Sequence, residues 1–233
     1  MITQHKKSHR CSHTKGSLLP WQTVWNNLLL GKSFTRIALN YWVGSHVKTF
    51  GRVCDVGGGR TPSYSRFVSN RDGWVIVDVE ARTQPSVVSA VQTLPFQAAV
   101  FDNLLCFNVL EHVYEIQISI REMFRVLRPG GRLFIFVPFL VNVHPDPYDY
   151  HRYTGAALER VLSEVGFEQI EVTVFFGIFS SLLNLGLVLI PFRTVRAVIG
   201  LCTMALDALL YRLKPTLVGN YVIAYAVDAK KPN

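Results

Sequence analysis

The sequence predicts an α/β protein built on an open, doubly wound, mostly parallel sheet, and three observations carry that expectation. Short apolar runs ("VCDV", "GWVIVDV", "FDNLLCFNV", "RLFIFVP") alternate with segments of helical periodicity. These runs carry few polar residues, as strands covered by helices on both faces require. A glycine cluster, "VGGGR", follows the first run, where sheets of this kind place a ligand loop. At 233 residues, 49% hydrophobic and 17% charged, the chain can bury one sizeable core and is not disordered as a whole.

Taken in order, residues 1–17 read as a mobile tail. From Trp21 to Val47 apolar residues recur at helical spacing (Val24, Leu28, Ile37, Tyr41) with a break near Gly31, which predicts one or two helices. Gly51–Val56 is a strand. Thr61–Ser69 reads as a helix opened by a threonine–proline pair, favoured at Ncap and first turn. "GWVIVDV" is a strand, "SVVSA" a weaker one, and "FDNLLCFNV" a buried one. Tyr114–Leu127 is amphipathic and stops at "RPGG". After the strand "RLFIFVP", Thr154–Val165 is a helix with Thr154 as cap and Gly166 past its end. A strand at Phe167–Phe175 follows, and "NYVIAYAV" forms the last.

Charge is unevenly placed. Eight basic residues and no acid lie between Met1 and Cys54, whereas the remaining sixteen basic residues balance sixteen acids, so the net charge of +8 belongs to the N-terminal quarter. With Trp21, Trp25 and Trp42 spaced through it, this arm suits an anionic surface, a membrane leaflet or a nucleic acid. A solvated tail before a helix with a basic polar face is the alternative. No signal peptide is evident, because no apolar stretch directly follows the basic start. Cys54 and Cys106 sit in apolar runs and there is no CxxC pair, which fits small core residues in a reducing compartment. The expected location is cytoplasmic.

Val174 to Phe192 holds nineteen residues without a charge, and Val195–Leu213 is a second apolar segment carrying Arg196, Asp207 and Arg212. Length alone would let the first cross a bilayer. Strands on either side require the pair to return to one face, as a membrane hairpin, an interfacial pair or a soluble cap. Gly177, Gly186 and Pro191 interrupt the run and Asp207 would be costly at mid-bilayer, which favours a peripheral or capping role.

The glycine loop fails two phosphate tests. A dinucleotide fingerprint places Pro62 where its third glycine belongs, and the lysine of a Walker loop is absent. Asp55 just ahead of the loop suits an ammonium group better than a pyrophosphate. Gly57, Gly58 and Gly59 let the backbone approach a ligand closely. Asp78, at the tip of "WVIVDVE", offers two oxygens to the two hydroxyls of a ribose, with Glu80 as substitute. A nucleoside with a zwitterionic tail fits, and S-adenosyl-L-methionine is such a molecule.

Four segments, "VCDVGGG", "VIVDVE", "LPFQAAVFDNLLCFNVLEHV" and "REMFRVLRPGGRLFIFVPF", resemble in order and spacing the motifs of class I S-adenosylmethionine-dependent methyltransferases, from about Arg52 to Val174. The stretch "HPDPYDYHRYTGAALERVLSEVGF" is similar to a subgroup associated with glycan or cell-envelope biosynthesis. The resemblance implies a Rossmann-like, seven-stranded sheet over residues 51–233; charge placement and hydropathy add a basic arm with helices at 1–50 and an apolar helical insertion at about 176–214. It implies that Asp55, Gly57, Gly58 and Gly59 surround the methionine moiety. Asp78 and Val79 then take the ribose side, Ala90 and Val91 the adenine, and Asn108 lines the cofactor near the methyl. Ala90 stands where an acid usually meets the adenine, with Gln92 as polar substitute.

A hydroxyl acceptor must lose its proton, which calls for a base beyond the carboxyl ends of the strands. His144 is the first candidate, in a loop with Asp146 and Asp149, and His112 the second. Arg152 could hold an anionic acceptor group. A structural lid, with Asp149 paired to Arg152, is the other reading of this loop. His5, His9 and His13 lack a carboxylate or cysteine cluster, and no metal is expected. The expected activity is methyl transfer to an oxygen of a glycan, lipid-linked or other small acceptor. An inactive methyltransferase-like scaffold and a nucleic-acid methyltransferase are the rivals; "NVLEH" in place of an "NPPY"-type exit argues against the latter.

Overall fold

A computed structural model describes residues 15–17, 19–60, 62–68, 73–144, 148–214 and 220–233. The strands are β1 (Lys15–Ser17), β2 (Val53–Val56), β3 (Trp74–Asp78), β4 (Val87–Val88), β5 (Phe101–Phe107), β6 (Leu127–Pro138), β7 (Glu168–Phe176) and β8 (Val222–Lys230). The helices are α1 (Trp21–Leu29), α2 (Phe34–His46), α3 (Ile116–Val126), α4 (Gly155–Val165), α5 (Ile178–Gly186) and α6 (Arg193–Leu213).

All strands join one sheet in the order β1-β7-β8-β6-β5-β2-β3-β4. Only β8 runs antiparallel, to both β6 and β7. The seven strands β2 to β8 form the expected mixed sheet; β1 adds a short parallel edge on β7, Lys15 facing Thr173. Strand periodicity sorts the side chains into two layers. Leu104 and Cys106 of β5, with Leu133, Ile135 and Val137 of β6, pack with α3 and α4. Leu105 and Phe107, with Phe134 and Phe136, pack on the other face with Trp42, Leu39 and Val43 of α2. Helix ends follow local chemistry: the Ser33 hydroxyl accepts from Arg36 N at 3.3 Å, the Thr154 hydroxyl from Ala157 N at 3.2 Å, and Gly166 closes α4 at φ 109°.

Three expectations change. Residues 15–17 are an edge strand rather than part of a tail; residues 1–14, with Cys11 and the three tail histidines, lie outside the described residues. The helix expected at Thr61–Ser69 is only a 3-10 turn at Ser65–Phe67, Thr61 and Ser69 lying outside the described residues. Tertiary anchors win there, since Tyr64 and Val68 are drawn into the core and the serines offer little helix propensity to oppose them. The nineteen-residue uncharged run is not one segment. It ends β7, bends at Gly177 and forms α5 and a short turn at Leu187–Leu189.

The long apolar helix is α6, which is long and apolar enough to cross a membrane by length and composition, though little of it is buried. Val195, Ile199, Leu206, Leu209 and Leu213 form an exposed stripe along it, continued by Leu189 and Phe192. Its inner side meets α1, where Gly200 leaves room for Leu28.

Candidate active site

The site lies at the carboxyl ends of β2, β3, β5 and β6. Parallel strands leave the loop after each strand at this edge, so residues remote in sequence converge there. Gly57 N donates to Val77 O at 2.7 Å, tying the glycine loop to β3. Gly57 adopts φ 70°, and a Cβ there would collide with Val109. A Cβ at Gly58 would lie 2.7 Å from the Asp55 carboxylate, whereas one at Gly59 would meet nothing within 4 Å among the described residues. The loop is thus packed from below and open above.

Asp55 is fully buried. Tyr64 Oη lies 2.8 and 3.0 Å from its two oxygens and donates to them. Burial pushes its carboxyl up to about 7, against the opposing effect of the Tyr64 hydrogen bond. This carboxyl is therefore a support beneath the loop; the role expected of it as direct partner of an ammonium group is not one that its enclosure offers. An acid raised on folding holds its proton more tightly in the native state, so its contribution is complete below the unfolded value near pH 4 and is lost as pH rises toward 7. Thermal unfolding of wild type and Asp55→Asn between pH 4.5 and 7.5 should show wild-type stability falling relative to the variant across that window. Parallel profiles would rule this out.

Asp78 sits at the end of β3, where Oδ2 accepts from Gly59 N at 3.2 Å and Oδ1 from Glu80 N at 2.9 Å. Both oxygens keep further lone pairs. Glu80 pairs with Arg82 at the surface, Val79 is exposed, and Val91 is buried next to Ala90. Asn108 follows β5 at φ 55°, and its Oδ1 is buried without a hydrogen-bond partner among the described residues. A loop trimmed of Cβ atoms, an oriented carboxylate and an orphaned amide oxygen make this edge fit a nucleoside ligand.

The loops after β5 and β6 lock together. The Glu111 carbonyl accepts from Tyr150 N at 2.8 Å and His151 N at 3.2 Å. His112 and His144 meet edge to face with ring centroids 5.3 Å apart. His112 Nδ1 lies 2.6 Å from Tyr148 O, and His144 Nδ1 lies 3.0 Å from Asn142 O. The Glu111 carboxylate facing it raises the proton affinity of His144, against the effect of partial burial.

Asp149 accepts from His144 N at 3.0 Å, and Arg152 donates to both of its oxygens. Arg152 chiefly holds the Asp149 carboxyl well below the usual carboxylate range. Arg152, which also donates to His151 O, is thereby engaged in fastening the loop rather than presenting a free fork to an anionic acceptor. Asp146 lies outside the described residues. A cavity of about 430 Å³ opens beside this loop, walled by Phe139, Val141, Val143, His151, Arg152 and Leu185.

Sequence reasoning missed Tyr64 and Glu111. Tyr64 gave no signal beyond its place in the expected helix Thr61–Ser69. Glu111 stood next to His112 in "NVLEH", but nothing in the spacing showed its carboxylate fully buried between two imidazoles.

Comparison with known proteins agrees with this geometry. Residues 73–135 match the methyltransferase-domain family. A Mycolicibacterium smegmatis protein named "Probable S-adenosylmethionine-dependent methyltransferase" is 33% identical over 81 residues, which is 32% of each chain. The Vibrio cholerae ubiquinone/menaquinone biosynthesis C-methyltransferase is 25% identical over 175 residues, covering 64% of this chain and 67% of that one. Phosphoethanolamine N-methyltransferase 2 of Haemonchus contortus, solved with S-adenosyl-L-methionine, shares the fold with a TM-score of 0.53 at 16% identity, over 91% of this chain and 57% of that one. The match thus spans about a third of the mycobacterial relative and somewhat over half of the nematode enzyme. The motifs thus lie in order along this strand topology, the methyltransferase-domain match runs across β3 to β6, and the chain is similar in fold to solved S-adenosylmethionine-dependent methyltransferases.

Proposed function

We propose that this protein transfers the methyl group of S-adenosylmethionine to an oxygen of a lipid-linked, glycan or other small acceptor, while lying peripherally on the inner, cytoplasmic face of a membrane. The observation that carries the reading is the placement of the cofactor-shaped edge, Gly57–Gly59 with Asp78 and Asn108, on the same end of the sheet as the His112–His144 loop pair. When bound, the cofactor supplies an electrophilic methyl on a sulfonium. The chain's own residues align the partners and exclude water, and alignment alone can contribute several kcal/mol, up to about 7–11 in favourable cases. Asp78 would hold the ribose, and His144 Nε2 would take the acceptor's proton while Asn142 O holds its Nδ1–H.

Support for an apolar, membrane-borne acceptor comes from the exposed stripe of α6, flanked by Arg193, Arg196, Arg212 and Lys214. Basic residues next to an apolar stripe suit an anionic leaflet, each contributing about 1 kcal/mol near such a surface. The likeness to a ubiquinone/menaquinone biosynthesis C-methyltransferase points the same way and admits carbon as the receiving atom.

The test has two readouts on one preparation. Label from methyl-labelled S-adenosylmethionine, with lipid and glycan extracts as acceptors, should enter the organic phase for a lipid-linked acceptor and the aqueous phase for a soluble one. No label in either, from protein that binds the cofactor, would move the reading to the scaffold class. Protein should sediment with phosphatidylcholine vesicles containing phosphatidylglycerol, and the Ile199→Glu/Leu206→Glu/Leu209→Glu variant should stay in solution. Equal sedimentation of the two would sink the membrane part.

A further inference from the structure

We propose that Glu111, His112 and His144 form a binding site for a first-row divalent transition-metal ion, of the zinc type. This goes beyond methyl transfer and stands whether or not the chain methylates anything. Three observations carry it.

The first is convergence. His112 Nε2 lies 3.8 Å and His144 Nε2 3.9 Å from Glu111 Oε1, and the three donor atoms all lie within 4.8 Å of one another. These separations are too long for hydrogen bonds. Ligands bound about 2.0–2.1 Å from a tetrahedral ion stand roughly 3.3 Å apart, so small side-chain rotations would complete the shell.

The second is tautomer. A backbone carbonyl can only accept, so Tyr148 O and Asn142 O put the proton of each neutral ring on Nδ1. The Nε2 lone pairs of both rings are thereby turned toward Glu111. Metal-binding histidines are held in this way, their outer nitrogen donating to a carbonyl that fixes ring and tautomer.

The third is the carboxylate itself. Glu111 is fully buried, and neither oxygen has a hydrogen-bond partner among the described residues. An ionised group so enclosed needs a cation or a proton, since an unsatisfied buried charge is costly. Arg152 also faces it, but both terminal nitrogens of that guanidinium are bonded to Asp149. The buried Cys106 thiol and Tyr153 hydroxyl nearby bring no positive charge.

Two imidazoles with one carboxylate select zinc, iron(II), cobalt(II) or manganese(II) over the all-oxygen preferences of magnesium and calcium. One negative charge suits a dication. Three protein donors leave coordination positions for water or another oxygen ligand. With an ion bound, His144 would serve as ligand and not as free base, and deprotonation of a hydroxyl would fall to an oxygen on the ion.

The experiment is titration of the purified full-length chain, stripped with chelator, with Zn²⁺ against a fluorescent zinc indicator, together with visible absorption after Co²⁺ addition. One equivalent per chain is expected, with d–d bands of a low-coordinate cobalt site. His144→Ala, on the half-exposed loop, should weaken binding about tenfold or more, as should Glu111→Gln. Replacing His5, His9 and His13 together by alanine should leave stoichiometry and affinity unchanged, which separates this site from the tail. Binding no tighter than to a metal-free control protein, or binding that His144→Ala and Glu111→Gln leave untouched, would overturn the proposal; a His144–Glu111 ion pair would then account for the cluster. S-adenosylmethionine affinity, read on the same samples, judges the methyltransferase reading separately.

Discussion

Replacing Asp78 with alanine should weaken S-adenosylmethionine binding about 100-fold, as read by calorimetric titration of purified protein with S-adenosylmethionine and S-adenosylhomocysteine. The carboxylate already accepts from Gly59 N and Glu80 N, and this pair of bonds aims its remaining lone pairs outward from the end of β3. Two ribose hydroxyls donating to an ionised group would contribute about 1.5–3 kcal/mol each. Loss of about 3 kcal/mol after partial compensation by water corresponds to two factors of ten. Asp78→Asn keeps one acceptor and should fall between. A change under about threefold, with wild type binding well, would place the ribose elsewhere. No binding of either ligand by folded wild-type protein would make the glycine loop a relic and leave the scaffold reading.

The largest expected loss of stability is at Asp207→Ala, far from the site. Asp207 lies in the middle of α6 and is 1% exposed, and its two oxygens accept from Phe179 N at 3.0 Å and Ser180 N at 2.9 Å. The N-cap position of α5 is Gly177, which has no side chain to serve the first amides, so a carboxylate from another helix takes that part. Its negative charge also meets the positive end of the α5 dipole. Truncation leaves two sheltered amides without an acceptor, a loss of about 3 kcal/mol. For a chain of this size the midpoint should fall by roughly 6–12 °C in a thermal scan. Asp207→Asn, which retains one acceptor oxygen, should recover part of the loss. A shift below about 2 °C for the alanine variant would mean that α5 does not depend on this cap.

Asp207 also shows where reading from sequence stops. In the sequence it was a charge interrupting an apolar segment, an argument against a membrane span. In the structure it joins α5 to α6 and lies against a cavity of about 470 Å³ lined by Trp21, Phe34, Phe175 and Met204. For Arg152 the sequence left two readings open, an anion-binding fork or a lid paired to Asp149, and the structure has the pair.

What the sequence by itself determined is the layered frame. Uninterrupted apolar runs such as "LLCF" and "LFIFV" mark strands covered on both faces, and helical spacing with Ser33, Thr154 and Gly166 at the ends bounds α2 and α4. The glycine loop and Asp78 were legible for the same reason: their spacing follows from one strand, one turn and the next strand, all within a single local unit. Only the tertiary structure decided that Thr61–Ser69 makes no more than a 3-10 turn, that residues 15–17 add an edge to β7, and that the nineteen-residue uncharged run divides between strand and helix. It alone brought Glu111 between His112 and His144, and Asp207 to the start of α5. The physical reason is common to all five. Each depends on partners outside its own local segment (Asp55 for the turn, Thr173, Asp207, His144 for Glu111, Phe179 and Ser180), whose positions are set by packing on the sheet and leave no trace in local periodicity.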